Sequence, residues 1–233
     1  MKRMILFFAL LILAACAPQA ATEEPASATS EPAIEETQDF DSLEDVVVQL
    51  LAENLGLEKS GISLKSNKEV EFGDACMDIA FPDVMCAQVV TPGRIIILEA
   101  NGIEYEYHTS VDGNLIQPAS LALTWTRAGG IAGFCDRLTV FLSGEIYGTN
   151  CRSQPTETVG SFASLLSASE QQEFNAWFLK FGEVNLDFSD PAGVADGMTN
   201  TLVFYGDGSG KPGKADVQAL FDWAQSLYQK LYS

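Results

Sequence analysis

Apolar residues at Leu43, Val46, Val47, Leu50, Leu51 and Leu55 recur every three to four positions, the stripe of an amphipathic helix. Ser42, with Asp45 three residues on, offers an N-cap, and Gly56 offers a stop. After Gly56 the period changes to two. Ile62 and Leu64 alternate, then Val70 and Phe72. Thr91-Pro92-Gly93 reads as a turn before the β-branched run Arg94 to Leu98. Asn101-Gly102 is a hairpin signal leading into Ile103 to Thr109, and Asp112-Gly113 is a turn before Leu115-Ile116. Residues 42–118 therefore predict one helix followed by an antiparallel β meander.

A second unit is expected over 119–233. Leu121, Leu123 and Trp125 alternate as a strand. A glycine-rich turn over 127–134 follows, then a hairpin, Leu138 to Leu142 and Glu145 to Tyr147, across Ser143-Gly144. Ser167 with Glu170 forms a capping box for a helix reaching about Phe181. Val184, Leu186 and Phe188 alternate, as do Leu202 and Phe204, across a loop rich in Asp and Gly. Gly206 to Gly213 reads as a mobile loop. A last amphipathic helix runs from about Ala215 with Val217, Leu220, Phe221, Ala224, Leu227 and Leu231 on its stripe. The fold class is α+β: two small modules, each an antiparallel sheet with packed helices.

The first forty residues have a different pattern. A basic start at Lys2-Arg3 precedes an apolar run, Ile5 to Ala15, too short to span a bilayer as a helix. It has the form of a secretory signal. The run ends Leu13-Ala14-Ala15-Cys16, which resembles the bacterial lipobox. The resemblance implies a signal peptide over 1–15 and a diacylglycerol on Cys16, which becomes the N-terminus. It also implies a location in the cell envelope, outside the cytoplasm. With Ala17 next, the anchor would be in the outer membrane if the cell has two membranes. In the stretch 16–41, residues 17 to about 40 are mostly Ala, Pro, Ser, Thr and Glu with almost no large apolar side chain. Such a stretch buries too little surface to offset its ordering entropy and predicts an acidic disordered tether.

The formal charge is -19. Such a surface repels nucleic acid and anionic headgroups, so no nucleic-acid partner is expected and the membrane link is the lipid. Five cysteines are present. With Cys16 lipidated, Cys76, Cys86, Cys135 and Cys151 remain for disulfides in an oxidising compartment. Three pairings are open, and the sequence-local ones, Cys76–Cys86 and Cys135–Cys151, are preferred.

Candidate chemistry is sparse. The chain has one histidine and no Cys-x-x-Cys spacing, so no metal site, cofactor or catalytic residue is expected. His108 shares a strand face with Glu106. The expected reading is a surface pair, or a histidine satisfied by backbone near the turn. Gly206 to Pro212 superficially looks like a phosphate loop but has Pro212 where Ser or Thr is required. Asp187, Asp190 and Asp196 read as a solvated acidic loop.

The most distinctive local pattern is Arg127-x-Gly129-Gly130-Ile131-Ala132-Gly133. Together with the hairpin, helix, Asp-containing loop, strand pair and C-terminal helix that follow, it resembles emfourin, a small bacterial family that inhibits thermolysin-like metalloproteases. The resemblance covers about residues 121–232. It implies an emfourin-like α+β module that binds a secreted metalloprotease or another envelope protein. Arg127, Gly129, Gly130, Ile131, Gly133 and Phe134 are the candidate contact residues. This chain departs from the family in carrying Cys135 and Cys151 and in its fusion to the first unit. Thr91-Pro92-Gly93 and residues 105–109 resemble modules of exported bacterial proteins without an assigned activity, which implies no mechanism. The expected function is a membrane-anchored binding module, with protease inhibition as its sharper form. The competing expectation is an envelope scaffold or ligand-binding lipoprotein.

Overall fold

A computed structural model describes residues 42–81, 84–150 and 164–232. The signal, Cys16, the tether and Cys151 lie outside the described residues.

The architecture is α+β, with two antiparallel sheets and three helices. The first helix, α1 (Leu43–Leu55), begins where predicted: the Ser42 hydroxyl accepts from the Asp45 N–H at 3.3 Å. It stops at Gly56, whose left-handed φ of 64° lets Leu57 N–H reach back to Ala52 O at 2.9 Å. Four strands follow in spatial order β1-β2-β3-β4: β1 (Ile62–Phe72), β2 (Thr91–Ala100), β3 (Ile103–Ser110) and β4 (Ile116–Pro118).

Ile62–Leu64 and Val70–Phe72 belong to one strand of 11 residues, and a bulge at Lys65 separates them. Before the bulge, Leu64 stands opposite buried Leu98; after it, Asn67 stands opposite buried Ile96. Val70 and Phe72 therefore point to the opposite face from Leu64, because one extra residue inverts the period-two pattern. Thr91-Pro92-Gly93 is not a turn but the start of β2. Pro92 lies beyond the last β2–β3 partners, Gly93 and Ser110, so its missing N–H breaks no bond on that side.

The second sheet has six strands in the order β8-β7-β6-β5-β10-β9. They are β5 (Leu121–Gly129), β6 (Phe134–Phe141), β7 (Glu145–Thr149), β8 (Ser164–Leu165), β9 (Glu183–Asp187) and β10 (Met198–Tyr205). Helix α2 (Ala168–Lys180) opens on the expected capping box: the Ser167 N–H donates to Glu170 Oε2 at 2.6 Å. Helix α3 (Lys214–Leu231) lays Leu220, Phe221, Trp223, Ala224, Leu227 and Tyr228 into the core.

The segment 206–213 is not a mobile loop. The Gly208 N–H donates to Phe178 and Phe181 carbonyls at 3.1 and 2.8 Å, and Gly210 bridges to Phe181. A Cβ on Gly206 would sit 2.1 Å from the Phe181 carbonyl oxygen. The glycines let two backbones approach where no side chain fits.

The passage from one sheet to the other falls at 118/121, close to the expected boundary between modules. The core does not divide there. One apolar cluster joins Val47 and Leu51 of α1, Ile96, Leu98, Tyr105 and Tyr107 of the first sheet, and Trp125, Leu138, Phe174, Phe204 and Leu227 of the second half. A smaller cluster repeats the connection. The Cys76–Cys86 disulfide, formed as expected, lies in the segment between β1 and β2. There Cys76, Ile79 and Phe81 pack on Phe141 and Tyr147 of the second sheet, with the three rings 5.5–5.8 Å apart.

Candidate functional site: the apex of the second sheet

Strands β5 and β6 run to Gly129 and from Phe134, so the glycine-rich turn shrinks to residues 130–133. Gly133 N–H donates to Gly130 O at 2.9 Å and closes it. Gly129 has φ 89°, and a Cβ there would meet the Gly197 carbonyl oxygen at 2.6 Å. The tight turn thus lies directly against the loop joining β9 to β10, and Gly130 N–H donates to that same carbonyl at 3.3 Å. Two loop tips form one surface. Ile131 caps it with 93 % of its surface exposed, and Val194 stands on the neighbouring loop at 51 %. A single exposed apolar residue is ordinary; here one stands on each of two adjoining loops.

The apex rests on a polar prop beneath it. Arg127 and Asp136 face each other across β5 and β6. Arg127 Nε donates to Asp136 Oδ2 at 2.8 Å, and Nη2 donates to the same oxygen. The other oxygen, Oδ1, accepts from the Tyr228 hydroxyl of α3 at 2.8 Å. Burial, then this carboxylate, push the Tyr228 hydroxyl up. The guanidinium also lies over the Phe134 ring, 4.0 Å from its centre. Of the candidate contact residues, Ile131 and Gly133 are exposed, Gly129 and Gly130 shape the turn, and Arg127 and Phe134 brace it from below.

Asp136 and Tyr228 carry no local signal in the sequence. The Arg127–Asp136 pair is visible only once the four-residue turn sets the strand register. Tyr228 lies 92 residues away from Asp136, and only the docking of α3 brings it near. Cys135, one residue from this prop, is disulfide-bonded; its expected partner Cys151 lies outside the described residues.

The neighbouring loop is acidic. Asp187 Oδ1 accepts from Ser189 N–H at 2.9 Å, and hydrogen bonds from Ser189 hold the Asp187 carboxyl below the usual carboxylate range. Asp190 Oδ2 accepts from Met198 N–H at 2.8 Å. Asp187, Asp190 and Asp196 are all exposed, so the apolar tips carry a rim of negative charge.

A domain of unknown function (DUF8738) matches residues 44–118. The match runs from α1 to β4 and ends before the second sheet and its apex. No curated protein and no solved structure matches the chain.

Two other places in the structure hold polar groups or a cleft. His108 is buried at 7 % exposure, not the exposed member of a surface pair. Its ring nitrogens both face acceptors: Nε2 lies 2.7 Å from Glu106 Oε1 and Nδ1 2.6 Å from the Met77 carbonyl oxygen. Neither nitrogen is left to serve a substrate. The second place is a cleft of about 260 Å³ between α1, the β2–β3 turn and α2, lined in part by Leu55, Leu57, Ile103, Gln171 and Asn175. None of its lining residues is charged.

Proposed function

We propose that this chain is a lipid-anchored envelope protein that binds another protein through the apex formed by residues 129–133 and the β9–β10 loop. The observation that carries this reading is Ile131, an almost wholly exposed aliphatic side chain on a turn held by its own glycines and by the Arg127–Asp136–Tyr228 prop. A rigid apolar tip loses little entropy when it inserts into a partner's pocket. The acidic rim favours a partner whose pocket is bordered by cations. A secreted metalloprotease is the sharper form of the proposal, supported by the likeness of residues 121–232 to emfourin; the role is non-catalytic. The lipid on Cys16 would hold the apex at the membrane surface, and no helix among the described residues is long and apolar enough to cross a membrane.

The test is inhibition of thermolysin-like proteases by the full chain, with Ile131→Asp as the control. Inhibition at micromolar concentration or below is expected, weakened at least tenfold by the substitution, with an unchanged melting temperature. No inhibition, together with no Ile131-dependent partner in envelope crosslinking, overturns the reading. Labelling with a clickable fatty acid, lost in Cys16→Ala, tests the anchor.

The uncharged cleft favours a second reading, a lipoprotein that holds a small neutral ligand between leucine side chains and the Gln171 and Asn175 amides. Filling it with Ala168→Trp would abolish such binding and leave the apex intact.

A further inference from the structure

The segment from residue 73 to 81 leaves the first sheet and carries Cys76 across to the second. Its backbone is strained: Met77 and Asp78 are consecutive non-glycine residues with φ of 57° and 58°. Asp74 Oδ1 accepts from the N–H groups of Cys76 and Asp78 at 2.9 and 3.0 Å, and Asp78 Oδ1 accepts from Gly73 N–H at 2.9 Å. These bonds fold the segment on itself. Its bond to the sheet at this point is the Met77 carbonyl on His108 Nδ1. The Phe72 ring stacks on the imidazole at 4.7 Å and shields it.

The hydrogen-bond inventory of this histidine is restrictive. A carbonyl and a carboxylate both accept and neither donates. Both contacts are hydrogen bonds together only when the ring carries two protons. A neutral ring keeps one and turns a lone pair toward the other oxygen. The Glu106 carboxyl is held below its usual range, first by its hydrogen bond with His108, and so supplies the negative partner. Among the described residues, Asp74 and Asp78 are charged groups of the segment, and Lys68 on β1 stands in the same cross-strand row beyond Ile95. Gln117, opposite on β4, and Phe72 are uncharged.

We propose that His108 is a proton-dependent latch: doubly protonated, it fastens the 73–81 segment to the first sheet through the Met77 carbonyl, and loss of a proton releases that fastening while the disulfide keeps the segment tethered. Binding of one proton is the whole chemical step. The latch strengthens as pH falls.

His108 is the chain's one histidine, so its ring nitrogens give unambiguous signals in the uniformly ¹⁵N-labelled full chain. Across a pH titration, both nitrogens should be protonated at the acid end and one should lose its proton as pH rises. Over the same transition, amide protection in 73–81, corrected for intrinsic exchange, should fall by about tenfold, with β5 and β6 unchanged. His108→Phe keeps the stacking and removes both bonds; protection in 73–81 should then be low and independent of pH. If that variant does not fold, Glu106→Gln should keep the latch and move the transition to lower pH. A ring singly protonated throughout, protection that ignores the transition, or an unmoved transition in Glu106→Gln overturns the proposal.

Discussion

Glu145 begins β7 and is almost wholly buried. Asn54 Nδ2 of α1 donates to its Oε1 at 2.7 Å, and the Ser143 hydroxyl donates to Oε2. Burial pushes the Glu145 carboxyl up, outweighing these bonds, which favour the charge. The folded state therefore holds this proton more tightly than the unfolded chain does. Stability from this group is fully present below the unfolded carboxyl pKa, about 4.3, and is lost as pH rises through the folded value. Glu145→Gln removes the desolvated charge and keeps an acceptor for Asn54. It should raise Tm at neutral pH by roughly 2–4 °C and flatten the fall in stability that sets in above the unfolded carboxyl pKa. Thermal melts across pH check both effects. The charge of the residue is legible in the sequence; its burial is not, because Asn54 is 91 positions away.

At the scale of elements, β1 raises a question of specificity. It is an edge strand of 11 residues, a template for pairing with another chain. The bulge at Lys65 interrupts its ladder, and exposed Lys65 and Lys68 place charge along it. The Lys65–Glu99 ion pair, 2.7 Å long, is exposed and adds little stability. We therefore assign both lysines mainly to keeping the edge single. The Lys65→Val/Lys68→Val double variant should leave folding intact but raise self-association, seen as a concentration-dependent mass in light scattering; an unchanged monomer fraction would count against it. The bulge also explains why the two apolar pairs of β1 face opposite sides of the sheet: period-two reading assumes an uninterrupted ladder.

At the scale of the molecule, the two sheets share one core. Tyr105 and Tyr107 on the inner face of the first sheet belong to the same cluster as Trp125 and Phe174 of the second half, and burial pushes the Tyr105 hydroxyl up to about 12. Residues 42–118, which contain the stretch 44–118 matched by the domain of unknown function, should therefore fail to fold alone. Cut from the second half, the fragment exposes that face and leaves the Phe81 contact with Phe141 and Tyr147 unmade. A collapsed amide spectrum and dye binding are expected, and sharp dispersed resonances would show that each half carries its own core.

Periodicity by itself determined the three helices, most strands and the α+β class, because these depend on spacing along the chain and on caps within four residues, as at Ser42 and Ser167. Cysteine spacing pointed to Cys76–Cys86, and glycine spacing marked the 129–133 turn. Only the tertiary structure decided the rest. The Asp136–Tyr228 prop, the burial of Glu145 and His108, and the packing of Gly206 and Gly208 on the end of α2 join residues far apart in sequence. So does the common core. Each depends on which faces meet after the sheets form, and a local pattern of polar and apolar residues does not contain that information.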